Sequence, residues 1–145
     1  MRKVNLLAPE FDGSRDHESY RWRSAAIGKQ LGAEKIGGSL YELGEGERSF
    51  PYHFHYGMEE WLIVLAGTPT LRGPDGESEL RRGDVVCFPR GPEGAHQVRG
   101  PGTVLMLSAQ RDMETIEYPE SGKVASSPPR KVFRMADAVD YWEGE

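Results

Sequence analysis

Eighteen glycines and ten prolines are spread through the 145 residues of this chain, and they favour many short elements over long helices. Several intervals between them carry strand patterns. Ser39 to Leu43 alternates and stops at Gly44-Glu45-Gly46-Glu47. Tyr52 to Tyr56 alternates aromatic rings with histidines, and Trp61 to Leu65 is a continuous apolar run closed by Ala66-Gly67-Thr68-Pro69. Thr70-Leu71-Arg72 meets Gly73-Pro74-Asp75-Gly76, a turn signal. Glu77 to Arg81 reads as a short polar strand, and Val85 to Phe88 and Val104 to Leu107 read as buried ones. Short strands at regular spacing predict an all-β sandwich or barrel.

The two ends are less patterned. Tyr20 to Gly32 reads as a strand or a short helix. After Ser108 the chain becomes irregular, with Glu117 to Pro129 expected to form an ordered arm or loop and Lys131 to Arg134 a last strand. The tail from Ala138 to Trp142 carries enough apolar surface to be expected to dock. The expected organisation is an N-terminal extension over 1–37 packing on a barrel core over 38–108, then a C-terminal arm over 109–145.

The formal net charge is -5 and no Lys/Arg stripe is present, which argues against nucleic acid and anionic membranes as partners. No stretch approaches the ~20 apolar residues of a membrane helix, and the N-terminal residues lack the apolar core of a secretion signal. A cytoplasmic protein is the expectation. Cys87, the single cysteine, sits in the apolar run Val85-Val86-Cys87-Phe88 and is expected to be a buried thiol.

Chemistry concentrates in the β region. In a strand, positions i and i+2 share a face, so His53 and His55 project together while Phe54 turns the other way. Gly57 allows a tight turn, after which Glu60, Leu62 and Val64 share one face and Glu59, Trp61, Ile63 and Leu65 the other. Parity alone leaves Glu59 as a competitor of Glu60. His96 follows the strand over Val85 to Phe88 and a loop able to bring it back over the same face. Imidazoles with one carboxylate suit Zn, Fe, Mn, Ni or Cu. His17 lies in a polar stretch and is expected to be exposed, and Asp84 to be a turn residue.

These residues resemble the two motifs of the cupin family. In the first, G(x)5HxH(x)3,4E(x)6G, His53-Phe54-His55 supplies the pair, Glu60 the acid and Gly67 the final glycine; the spacing to Gly67 selects Glu60 over Glu59. Glu47 stands where the opening glycine is expected, with Gly46 one residue early. In the second, G(x)5PxG(x)2H(x)3N, Gly83, Pro89 and Gly91 match in place. His96 then arrives after four residues instead of two, and Gly100 replaces the asparagine. The resemblance covers roughly residues 38–108. It implies a double-stranded β-helix, or jelly-roll barrel, holding one divalent metal (Zn, Fe, Mn or Ni) through His53, His55, Glu60 and His96.

The resemblance further implies a small-molecule substrate or ligand. A metal-dependent enzyme of dioxygenase, isomerase or decarboxylase type is one reading; a non-catalytic binding or sensing module is the other. The core strands show no Lys or Arg cluster for a sugar phosphate, which weighs against an isomerase. Arg90, Glu93 and Gln97 flank His96 as candidate lining residues. The outward strip of Trp61, Ile63 and Leu65 packs on the second sheet or the N-terminal segment, or meets a second copy, and a homodimer is the expectation.

Overall fold

The computed structural model describes residues 1–109 and 112–145. Strands β1 (Gly13–His17) and β2 (Tyr20–Ala25) lead through a short helix, α1 (Ile27–Leu31), to β3 (Ile36–Leu43). Then come β4 (Phe54–His55), β5 (Glu60–Gly67), β6 (Thr70–Gly73), β7 (Gly76–Glu79), β8 (Val85–Phe88), β9 (Gln97–Arg99) and β10 (Gly102–Ala109). The chain closes with β11 (Glu114–Tyr118), β12 (Lys123–Ser127) and β13 (Lys131–Arg134). A six-stranded sheet runs β1-β2-β3-β10-β5-β8, a four-stranded one β13-β12-β11-β4, and a three-stranded one β7-β6-β9. The strand content, antiparallel pairing and short turns make this an all-β fold, as the strand pattern predicted, and a jelly roll, as the resemblance implied. Among the described residues no helix is long and apolar enough to cross a membrane.

Strand parity decides what lies on each side of the six-stranded sheet. On its inner face Leu43, Leu62, Val64 and Val104 pack with Phe88, Val98 and Leu80. On its outer face Leu40 and Leu105 pack with Ala25 and Ile27, and Val4, Leu6 and Phe11 of the N-terminal segment pack against this cluster together with Ile63 and Leu65. Leu62 is completely buried, and each such side chain contributes about 1.5–3 kcal/mol of transfer free energy. Gly67 ends β5 with φ +79, and a Cβ there would come within 2.6 Å of the Pro101 carbonyl, so the close approach of β5 to β10 requires glycine.

Four expectations change. Tyr20 to Gly32 holds both alternatives in succession, β2 and then α1. The described residues after Ser108 include three further strands: β11 pairs with β12 and also with β4, which carries His55. Their polar composition hid them, because an antiparallel strand with one solvated face needs few apolar residues. Cys87 is exposed, not buried. Strand β8 is an edge of the six-stranded sheet, so Val86 and Phe88 turn inward while Val85 and Cys87 face out. The tail stays exposed on the single chain, with Tyr141 and Trp142 packed edge-on against each other.

Candidate metal centre

His53 and His96 are placed by the backbone. The His53 N–H donates to the His96 carbonyl at 3.2 Å and the His96 N–H returns to the His53 carbonyl at 2.9 Å. Two residues directly opposed in this way send side chains to the same side, and their ring centroids lie 4.7 Å apart. His55 follows on the same face, its ring 5.1 Å from that of His53. Its carbonyl accepts the Gly91 N–H at 2.8 Å, which pins the loop before His96 against β4. The residues that lengthen this loop form a single 3-10 turn over Pro92–Gly94. A Cβ on Gly94 would sit 1.8 Å from the Pro89 carbonyl oxygen, so only glycine allows the fold-back.

Glu60 opens β5, between Ser108 of β10 and Phe88 of β8. His53, Glu60 and His96 each offer a ligand atom within 4.8 Å of the others. Glu60 Oε2 lies 3.2 Å from His55 Nε2 and 3.6 Å from His96 Nε2. Glu59 is turned outward, where its carboxylate accepts the Trp61 indole N–H at 2.9 Å. The face shared by Glu60, Leu62 and Val64 is therefore the inner one.

The imidazole orientations are fixed from behind. His53 Nδ1 lies 2.8 Å from the Pro51 carbonyl and His96 Nδ1 lies 2.9 Å from the Gly94 carbonyl. A carbonyl only accepts, so each Nδ1 carries the proton and each Nε2 presents its lone pair to the cluster. Burial, then the neighbouring His96 and His55, lowers the His53 pKa to about 4. Burial likewise lowers His96. Both rings are thus neutral near pH 7, the form that binds a metal. For Glu60, burial pushes upward, but the hydrogen bond from His55 and the polar surroundings set by the three histidines outweigh it, leaving the carboxyl below its usual value. His96 Nε2 is buried without a hydrogen-bond partner among the described residues. A buried lone pair facing a carboxylate is costly alone and satisfied by a cation. The donor set fits one divalent ion.

Sequence reasoning missed Glu114. It opens β11 and is buried behind β4, with Oε1 3.7 Å from His55 Nδ1. The same oxygen accepts the N–H of Gly57 at 3.0 Å and of Thr115 at 2.9 Å. A Cβ on Gly57 would lie 2.7 Å from Glu114 Oε2, so this glycine makes room for the acid as well as for the turn. Nothing local in the sequence marks Glu114; only the pairing of β11 with β4 brings it here.

The cluster opens into a cavity of about 600 Å³, with His53, His55 and Glu60 at its floor and Tyr41, Tyr118, Ser39 and Ser108 among its polar walls. Tyr118 stacks on His53 at 5.8 Å. Burial raises the pKa of both tyrosines, so each keeps its proton and can donate. Phe88 stacks on the far side of His96 at 3.7 Å and seals it from solvent. Arg90, Glu93 and Gln97 do not line this cavity. The Gln97 amide donates instead to the Phe50 carbonyl at 2.7 Å. His17 is exposed on β1, and Asp84 accepts the Arg81 N–H at 2.8 Å in its turn, as expected.

The model of the cupin domain matches residues 39–109, which span β4, the Glu60 strand and the His96 loop. This chain belongs to the cupin superfamily. Among solved structures it is similar to a protein from Acidithiobacillus ferrooxidans described provisionally as a sugar phosphate isomerase, at 25% identity and TM-score 0.78, over 90% of this chain and 88% of that one. It is also similar to a sugar phosphate isomerase of the cupin superfamily from Silicibacter pomeroyi, at 21% identity and TM-score 0.80, over 96% and 97% of the two chains. The polyketide cyclase RemF from Streptomyces resistomycificus is a more distant match, at 22% identity and TM-score 0.57, over 75% and 78%. No curated protein matches the sequence. For this cupin, the first two likenesses extend well beyond the matched domain into both extensions.

Proposed function

We propose that this cupin is a metal-dependent enzyme acting on a small organic molecule, and that His53, His55, Glu60 and His96 hold one divalent cation (Zn, Fe, Mn or Ni). The supporting observation is the convergence of buried imidazoles and one carboxylate at the floor of a cavity large enough for a substrate of several carbons. A bound cation would polarise a substrate oxygen. Tyr118 and Tyr41, both protonated, would donate hydrogen bonds to oxygens held beside it, and the Phe88 stack would keep water from reaching His96 from behind.

Of the reaction types, isomerisation of a hydroxy-carbonyl compound has the most support. It needs no oxidant, only proton movement between adjacent carbons. The two long structural likenesses carry sugar phosphate isomerase names, one of them provisional. Metal analysis of the native protein, with His53→Ala and His55→Ala alongside, tests the ligand assignment: each variant should lose most of the metal and keep its strand content. Full retention in both would refute it. Incubating the metal-loaded protein with aldose and ketose phosphates, with product detection by NMR, tests turnover. Tight capture without product would favour the binding-module reading.

The homodimer reading rests on the strip the N-terminal segment leaves uncovered, Trp61 with Val85 and Cys87 on the edge strand β8. Light scattering should give twice the chain mass, and Trp61→Glu should return it to one.

A further inference from the structure

Two cations from outside the barrel core line the rim of the metal-site cavity: Lys29 of α1 and Arg130, between β12 and β13. The core strands hold no cationic cluster; these cations come from outside them. Local structure explains both positions. Lys29 follows Gly28, where a Cβ would sit 2.9 Å from the Gly38 backbone nitrogen and 3.2 Å from the Ile36 carbonyl oxygen. Without a side chain at 28, α1 lies directly on β3 and the next residue overhangs the opening. Arg130 ends the turn Pro128-Pro129-Arg130, closed by a hydrogen bond from the Ser126 hydroxyl to the Pro129 carbonyl at 3.1 Å.

Neither cation is spoken for. Among the described residues, no ion pair includes Lys29 or Arg130. Asp12, the acid near Lys29, is occupied by the Ala26 N–H at 3.0 Å and the Gln30 amide at 3.1 Å. Glu60, at the floor, is the only carboxylate among the lining residues. Arg130 lies near enough to Tyr118 for its charge to act on the phenol, and Tyr118 stacks on His53. In a chain of net charge -5, two unpaired cations over one cavity need an explanation.

We infer that Lys29 and Arg130 form an anion clamp, which selects substrates bearing a phosphate or carboxylate at the end remote from the metal. The shape follows: a short chain with oxygens for the metal and tyrosines at one end and a negative group at the other. This deepens the proposed function and rests on it for the orientation of the substrate, while the clamp itself is tested separately.

The test uses three probes with one carbon skeleton: ribose, ribose 5-phosphate and riburonate, whose carboxylate replaces the C5 hydroxymethyl group. Binding to the metal-loaded protein is measured by calorimetry at low and high salt, for wild type, Lys29→Met, Arg130→Met and the double variant, with metal content determined for each. Wild type should bind one charged probe at least about tenfold more tightly than ribose, as charge-assisted hydrogen bonds require, and lose that preference in high salt. Whichever charged probe binds more tightly identifies the group. The double variant should lose about tenfold or more for that probe, with ribose binding and metal content unchanged. Equal affinity for charged and neutral probes in wild type, or undiminished binding in the double variant, would overturn the clamp. Loss of the metal reading shows differently, as absent metal in wild type.

Discussion

Glu114 offers the sharpest test of how this site is held. It has two separable duties: it accepts two part-buried backbone N–H groups, from Gly57 and Thr115, and it places a charge 3.7 Å from His55 Nδ1. Glu114→Gln keeps the first and removes the second, because the amide oxygen can take the place of Oε1. Outer-shell carboxylates hydrogen-bonded to a ligating histidine are worth about 10–100-fold in metal affinity; at 3.7 Å Glu114 is beyond hydrogen-bond reach of His55 and acts through its charge, so the Gln variant should bind a divalent ion weaker by up to about tenfold at nearly unchanged stability. Glu114→Ala removes both. Stranding a fully buried donor costs about 1–3 kcal/mol; with Gly57 half-buried and Thr115 exposed, this variant should be destabilised by about 1–3 kcal/mol in all. Chelator competition measures the first effect and urea unfolding of the metal-free proteins the second. If Glu114→Gln bound metal as tightly as wild type, the carboxylate would be only a backbone anchor. If Glu114→Ala were as stable as wild type, the accounting of its hydrogen bonds would be wrong.

Other outcomes follow from the same structure. Leu62→Ala, at a fully buried position in the inner core, should cost about 2–5 kcal/mol in urea unfolding. Gly94→Ala must displace the Pro89 carbonyl; it should cost about 1–3 kcal/mol and weaken metal binding by moving His96, whereas an unchanged chelator titration would show that the loop tolerates the shift. The metal-free protein should lose stability in acid. His53 has a folded pKa of about 4, below its unfolded value of 6.5. The unfolded state therefore takes up the proton first, and the contribution is whole above pH 6.5 and lost as pH falls toward 4. At 1.36 kcal/mol per pH unit this amounts to about 3 kcal/mol. His53→Gln should flatten the stability curve over that window, and parallel curves for the two proteins would count against the burial argument.

The legible part of the site was the part carried on adjacent residues of single strands. His53 and His55 share a face by the period of two, and the spacing from Glu60 to Gly67 chose Glu60 over Glu59, which the structure finds hydrogen-bonded to Trp61 on the outside. The longer loop before His96 left its return uncertain in principle, yet the paired backbone bonds with His53 bring it back. What failed to show was set by distant neighbours. Glu114 reads as one more acid in a polar stretch, and Lys29 and Arg130 as surface charges 101 positions apart.

By itself, then, the sequence determined the fold class and the inward direction of the histidine pair, because alternation and turn residues act over two to four positions and carry their meaning locally. The tertiary structure alone decided which acid stands behind His55, which cations overhang the cavity, and that Cys87 lies on an open edge. Those depend on which strand pairs with which and where a sheet ends, and chain order does not encode either within any short window.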